Sequence, residues 1–163
     1  MSGRVSAQLL NDIQQFIYFE ARLQDEHQYE AWEKLWTDDA IYWVPANSDD
    51  IDPEEKMSIV YDNRSRISLR VRQLLSGSRH TQTPASRLRR IVSNVEVLGT
   101  NDNGDLSVGA NTMVFESNLR GDTVWATRNE YLLRETNGEY RLAYKKVMLV
   151  NNDKALYTLS FLI

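Results

Sequence analysis

Apolar residues recur at three- and four-residue spacing from Leu9 through Leu10, Ile13, Phe16, Ile17 and Leu23, which predicts a helix with one broad buried stripe, capped by Ser6. A second, shorter helix is expected from about Gln28 to Trp36, its buried side made by Tyr29, Trp32, Leu35 and Trp36, with Thr37-Asp38-Asp39 as its stop. Ile41-Tyr42-Trp43-Val44 is β-branched and aromatic and closes at Pro45, so it predicts a strand; the acidic stretch 46–56 reads as a loop. Residues 57–61 predict a short strand. Ile67, Val71, Leu74 and Leu75 then return to helical spacing until Gly77.

After a loop over 81–86 the pattern becomes sheet throughout. A long strand is expected from about Arg87 to Leu98, with Ile91, Ser93, Val95 and Val97 sharing one face. Turn signals at Asn101-Asp102-Asn103-Gly104, Arg120-Gly121-Asp122 and Asn137-Gly138 separate three further strands, 106–118, 123–135 and 140–150, into consecutive antiparallel hairpins. Helices first and a strand meander afterwards is the order expected of an α+β fold in which a curved sheet wraps around helices on its concave face. Such curvature requires bulges, whose positions the pattern does not mark.

A chain of 163 residues, 42% of them hydrophobic, suits one domain spanning 1–163. It has no apolar run of about 18 residues and no charged-then-apolar leader, so a soluble cytoplasmic protein with no membrane association is expected. The absence of cysteine excludes disulfides, thiolate nucleophiles and cysteine-ligated metal. Charge is unevenly placed. Between Asp62 and Glu96 stand eight arginines (Arg64, Arg66, Arg70, Arg72, Arg79, Arg87, Arg89 and Arg90) with no lysine and no carboxylate, while the whole chain carries a net charge of −4. Guanidinium makes planar, bidentate pairs with carboxylates and tolerates partial burial, so this block is expected to form a subunit interface, a solvated basic face being the plainer alternative. Nucleic-acid binding is disfavoured by the acidic net charge and by the lack of aromatics among the arginines. The apolar ending Leu156, Leu159, Phe161, Leu162 and Ile163 is expected to pack on a sheet edge or a neighbouring chain.

Three stretches resemble the β subunits of aromatic-ring-hydroxylating dioxygenases: Trp32 to Pro45; Tyr61-Asp62-Asn63 through Arg70-Val71-Arg72 and Gly77 to Pro84-Ala85-Ser86-Arg87-Leu88-Arg89-Arg90-Ile91-Val92-Ser93-Asn94-Val95; and Val147 to Leu162. The second is the most specific. Thr81-Gln82-Thr83-Pro84-Ala85 departs from the acidic, proline-paired form of many relatives, which leaves the substrate class open. The resemblance implies the cone-shaped half-barrel of nuclear transport factor 2, and a scaffolding role beside a large α subunit, commonly as three large and three small chains about a threefold axis. It also implies a Rieske [2Fe-2S] cluster and a mononuclear Fe(II) in the complex. The cluster needs two cysteines, which this chain lacks, and the iron would consume both histidines, His27 and His80, which stand far apart in the pattern. Both cofactors are therefore expected in the large subunit and none in this chain.

The competing reading is a stand-alone isomerase or dehydratase on the same cone, using a buried Asp/Tyr pair for proton transfer; Asp39, Tyr42, Tyr131 and Glu130 are the candidates. Asp39 also reads as a turn residue and the tyrosines as core aromatics. Trp32, Trp36, Trp43 and Trp125 are expected to fill the cone.

Overall fold

The computed structural model describes residues 5–46, 58–76, 85–150 and 161–163. Helix α1 (Ala7–Asp25) begins where Ser6 accepts a hydrogen bond from the Leu9 amide at 3.0 Å, a cap that stabilises the helix by about 1 kcal/mol. Ile13 and Ile17 bury its stripe. The second helix, α2 (Tyr29–Glu33), is shorter than its pattern suggested. Trp36 already opens strand β1 (Trp36–Pro45), and the Thr37-Asp38-Asp39 "stop" lies inside that strand as an irregularity. The physical reason is register. Trp36 pairs with Leu142 and Ile41 with Tyr144, so the intervening residues bow outward with Asp38 and Asp39 in solvent.

Strand β2 (Ser58–Asn63) leads into α3 (Arg64–Leu75), whose N-terminus is capped by the Asn63 side chain accepting from the Arg66 amide. The helix ends at Ser76; the Gly77 cap expected from the sequence falls outside the described residues, as do the 46–56 loop beyond Ala46, Arg79, His80 and Leu159. Strands β3 (Arg87–Thr100), β4 (Leu106–Asn118), β5 (Gly121–Thr136) and β6 (Glu139–Leu149) form the expected antiparallel meander. The one-sheet order is β2-β1-β6-β5-β4-β3, with β1 inserted parallel to β6. The result is a curved, unclosed six-stranded sheet around helices: a cone-shaped α+β half-barrel. At the β5–β6 hairpin Asn137 and Gly138 take φ of 53° and 81° between the Thr136–Glu139 pair, the twist a two-residue turn needs.

The long edge strand β3 corrects one expectation. Ile91 and Ser93 point to solvent, whereas Leu88 and Val92 face inward, and after Asn94 the inward positions become Val95 and Val97. Asn94 is a bulge with φ of 55°, set between the Ser93–Asn111 and Glu96–Gly109 pairs, and the extra residue moves the odd positions to the other face. A second register shift between Val97 and Gly99 adds to the bend. Because a β-branched side chain in this left-handed region costs about 1–2 kcal/mol, Asn94→Val should destabilise the fold by that amount and Asn94→Gly by no more than about 0.5 kcal/mol, read from urea unfolding midpoints.

Candidate functional site

The cone interior is where this architecture would carry chemistry, and its centre is charged. Lys145 on β6, fully buried, donates to Glu20 of α1 at 2.8 and 3.1 Å and to Gln24 at 3.4 Å. The Trp32 indole N–H reaches the same carboxylate at 2.7 Å. Burial drives the Lys145 ammonium below its ordinary pKa, and Glu20 opposes that shift. Beside the pair, Asn129 donates to Thr112 and Tyr131 and accepts from Thr127, so this polar belt is internally satisfied. The cavity left between Glu20, Gln24, Arg90, Asn129, Tyr131 and Lys145 holds about 10 Å³, room for one water at most.

Aromatic packing fills the adjoining space. Trp32, Trp36 and Tyr42 meet with ring centroids 5.3 to 5.8 Å apart, and Trp125 meets Phe161 at 6.0 Å. Trp43 departs from the expected role: strand alternation turns it away from the cone onto Tyr61, Ser58 and Lys146. Phe161, Leu162 and Ile163 are buried inside this chain's own core, where the Ile163 amide donates to Tyr42 and the Leu162 carbonyl accepts from Arg90. Of the apolar ending, these residues therefore sit in the core of this chain, not on a sheet edge.

The candidate proton-transfer groups do not come together. Asp39 lies exposed outside the cone, and the Arg134 guanidinium bonded to it, with the Thr37 hydroxyl, holds its carboxyl below the usual range. Glu130 is on the outer face of the sheet. Tyr42 and Tyr131 are inside, but burial pushes both phenols well above their ordinary pKa. The carboxylates that are buried, among the described residues, are all engaged: Glu20 by Lys145 and Trp32, Asp62 by Arg70, Asp105 by Arg134, and Glu116 by Ser86, Asn118 and Trp125.

His27 is no free surface residue. In a left-handed backbone conformation at the end of α1, it presents Nε2 to the Ser86 carbonyl at 2.8 Å and Nδ1 to the Tyr29 hydroxyl at 2.6 Å. A carbonyl only accepts, so Nε2 carries hydrogen, and the ring ties the helix end to the start of β3. No cluster of three or more metal-ligating side chains occurs among the described residues.

The arginine block divides. Arg64, Arg70 and Arg90 turn into ion pairs of this chain with Glu33, Asp62 and Asp25, the last pair nearly buried. Arg66, Arg72, Arg87 and Arg89 are exposed. Among the described residues, intrachain carboxylates therefore take three arginines of the expected basic face. Sequence reasoning missed Glu20, Gln24 and Lys145 altogether, although each lies on the buried register of its helix or strand.

These features define a class: a half-barrel of the nuclear transport factor 2 type whose polar interior is occupied by its own side chains. Residues 19–153 match the profile of the family described as Ring hydroxylating beta subunit, and the chain belongs to that family, as the β subunit of a ring-hydroxylating dioxygenase complex. It is 30% identical over 148 residues to toluate 1,2-dioxygenase subunit beta of Pseudomonas putida, covering 86% of this chain and 89% of that one. In fold it is similar to the β subunit of benzoate 1,2-dioxygenase from Burkholderia mallei ATCC 23344, with TM-score 0.74, 22% identity and coverage of 96% and 99%. A chain of a naphthalene 1,2-dioxygenase structure with indole bound in the active site gives TM-score 0.81 at 20% identity, covering 96% of this chain and 86% of that one.

Two outcomes follow from the charges. Lys145→Met strands the Glu20 carboxylate and should cost about 3–5 kcal/mol, whereas Glu20→Met combined with Lys145→Met should recover most of it, read in a double-mutant cycle of unfolding free energies. Asp39 and Asp105 both have lowered pKa values through Arg134, so their contribution is present above the ordinary carboxylate pKa of about 4 and lost as pH falls through the lower native values. Arg134→Met should therefore flatten the acid limb of a stability-against-pH curve below about pH 4.

Proposed function

We propose that this β subunit is structural: a non-catalytic scaffold for an iron-bearing large subunit in aromatic compound catabolism. The observation that carries the reading is that the buried carboxylates of the described residues are all ion-paired or hydrogen-bonded, and that Glu20, the one that lines the interior cavity, leaves there a space of about 10 Å³. A general base needs a carboxylate left alone in a desolvated pocket so that its pKa approaches neutrality. That reading is favoured over a stand-alone isomerase or dehydratase, whose candidate Asp39 is held outside the cone with a lowered pKa. The Rieske cluster and mononuclear iron belong to the large chain. Three large and three small subunits around a threefold axis, in the cytoplasm, is the assembly proposed, with residues 1–163 acting as one domain.

Scaffolding acts by linkage, since a partner that binds only the folded form shifts its folding equilibrium. Co-expression with the cognate large subunit should yield a complex with a Rieske absorbance, and the large subunit's melting temperature should rise with the concentration of this chain. The isolated chain should turn over no small molecule; a turnover abolished by replacing one buried carboxylate would overturn the scaffold reading.

A further inference from the structure

The chain contains two asparagine-glycine steps, Asn103-Gly104 and Asn137-Gly138, and both lie exposed in turns of the sheet. Such a step carries its own chemistry. Glycine offers a backbone nitrogen with no side chain to shield it, one residue beyond a carboxamide, so that nitrogen can close a ring on the asparagine Cγ. The reaction needs a free glycine amide and a backbone able to rotate at the asparagine. The two turns differ in both respects.

The 101–105 turn is locked. The Gly104 amide donates to the Asn101 carbonyl at 3.0 Å, so the attacking nitrogen is engaged. The Asn101 side-chain oxygen accepts from the Asn103 and Asp105 amides at 3.0 and 2.9 Å, and the Asn101 amide donates to the Asp105 carbonyl at 3.0 Å. Asp105 is itself buried and ion-paired with Arg134 of β5, which ties the turn to the sheet. The 137–138 turn has no such bracing. Among the described residues the Gly138 amide donates to nothing and no side chain bonds to Asn137. Only the exposed Thr136–Glu139 pair closes this turn, and hairpin ends open at little free-energy cost. Both glycines are open where a Cβ would stand, so hydrogen bonding and not steric access separates the two.

We propose that Asn137 is a site of spontaneous backbone modification, whatever the chain's part in its complex. The Gly138 nitrogen attacks Cγ of Asn137: the N–Cγ bond forms, the Cγ–Nδ2 bond breaks, and the amide nitrogen leaves as ammonia with the proton the glycine gives up. Water then opens the succinimide. Cleavage of the new N–Cγ bond gives aspartate, and cleavage of the original peptide N–C bond gives isoaspartate, with the chain rerouted through Cγ. No oxidant or reductant is required. Isoaspartate lengthens the backbone of a two-residue turn whose φ values of 53° and 81° match the strand twist, so the Thr136–Glu139 pair loses its register. Either product adds a carboxylate two residues from both Glu135 and Glu139, and Tyr140, opposite Glu135, packs on Phe16 of α1 at 6.2 Å. Modification therefore loosens the end of the β5–β6 hairpin against α1.

Incubation of the folded chain at mildly alkaline pH, followed by peptide mapping, should show a gain of one mass unit at Asn137 at least about tenfold faster than at Asn103, where hydrogen bonds to the attacking and flanking amides must first break. In urea the two rates should converge. A protein-isoaspartate methyltransferase should methylate the aged chain, and the methylated fraction should melt below the parent. Asn137→Gly, which keeps both positive φ values, should remove most of that methylation. Asn101→Ala, which takes away the side-chain brace, should raise the rate at Asn103. Equal rates at the two sites in the folded chain, or folding that suppresses Asn137 as strongly as Asn103, would overturn the proposal. Methylation at Asn137 without a lower melting temperature would overturn its consequence for the hairpin.

Discussion

The cone is organised around a buried cation. Lys145 has no route to water, and an unpaired ammonium at that depth would cost several kcal/mol, so α1 must sit with Glu20 facing β6. Rotating the helix by one residue, about 100°, would break both the ion pair and the Trp32 bond to the same carboxylate. Trp32 carries the constraint into α2 and on to Trp36 and Tyr42. Gln24 carries it to Ile163, whose carbonyl it bonds at 3.5 Å. One charge pair thus fixes the relative placement of two helices, the central strand and the segment 161–163, which hydrophobic contacts alone would define less sharply.

Much of this frame was legible because it is local. Ser6 capping α1 and Asn137-Gly138 closing the last hairpin are short-range chemistry, and both are where the pattern put them. Failures came where tertiary register overrode local preference. Thr37-Asp38-Asp39 has the composition of a helix stop, yet pairing of Trp36 with Leu142 draws it into a strand. Ile91 and Val95 look equivalent by alternation, yet one bulge residue between them puts them on opposite faces.

The interior was harder for a different reason. Glu20 and Gln24 extend the stripe of Ile13 and Ile17, and Lys145 shares a face with Val147 and Leu149, so each was visible as a polar intrusion in an apolar register. Their mutual neutralisation was not, because 125 residues separate the partners. Arginine behaved similarly. Arg90, in a run that reads as basic surface, is turned inward by Asp25, 65 residues earlier, while its neighbour Arg89 faces solvent by strand alternation.

Each face of the sheet carries exceptions to the usual distribution, within an interior that is mainly apolar. Inside stand Lys145, Thr112, Thr127 and Asn129; outside stand Ile91, Met113, Phe115 and Val124. Hydrogen bonding and ion pairing satisfy the first group within the chain, so they need no ligand. Among the described residues nothing does the same for the second, because apolar surface is relieved only by being covered. On a cone of this kind, the unsettled free energy lies on the convex side. Under the scaffold proposal that asymmetry has a meaning: a catalyst keeps unsatisfied polar groups in a cavity, whereas among the described residues the uncovered apolar groups of this chain stand on its outer wall.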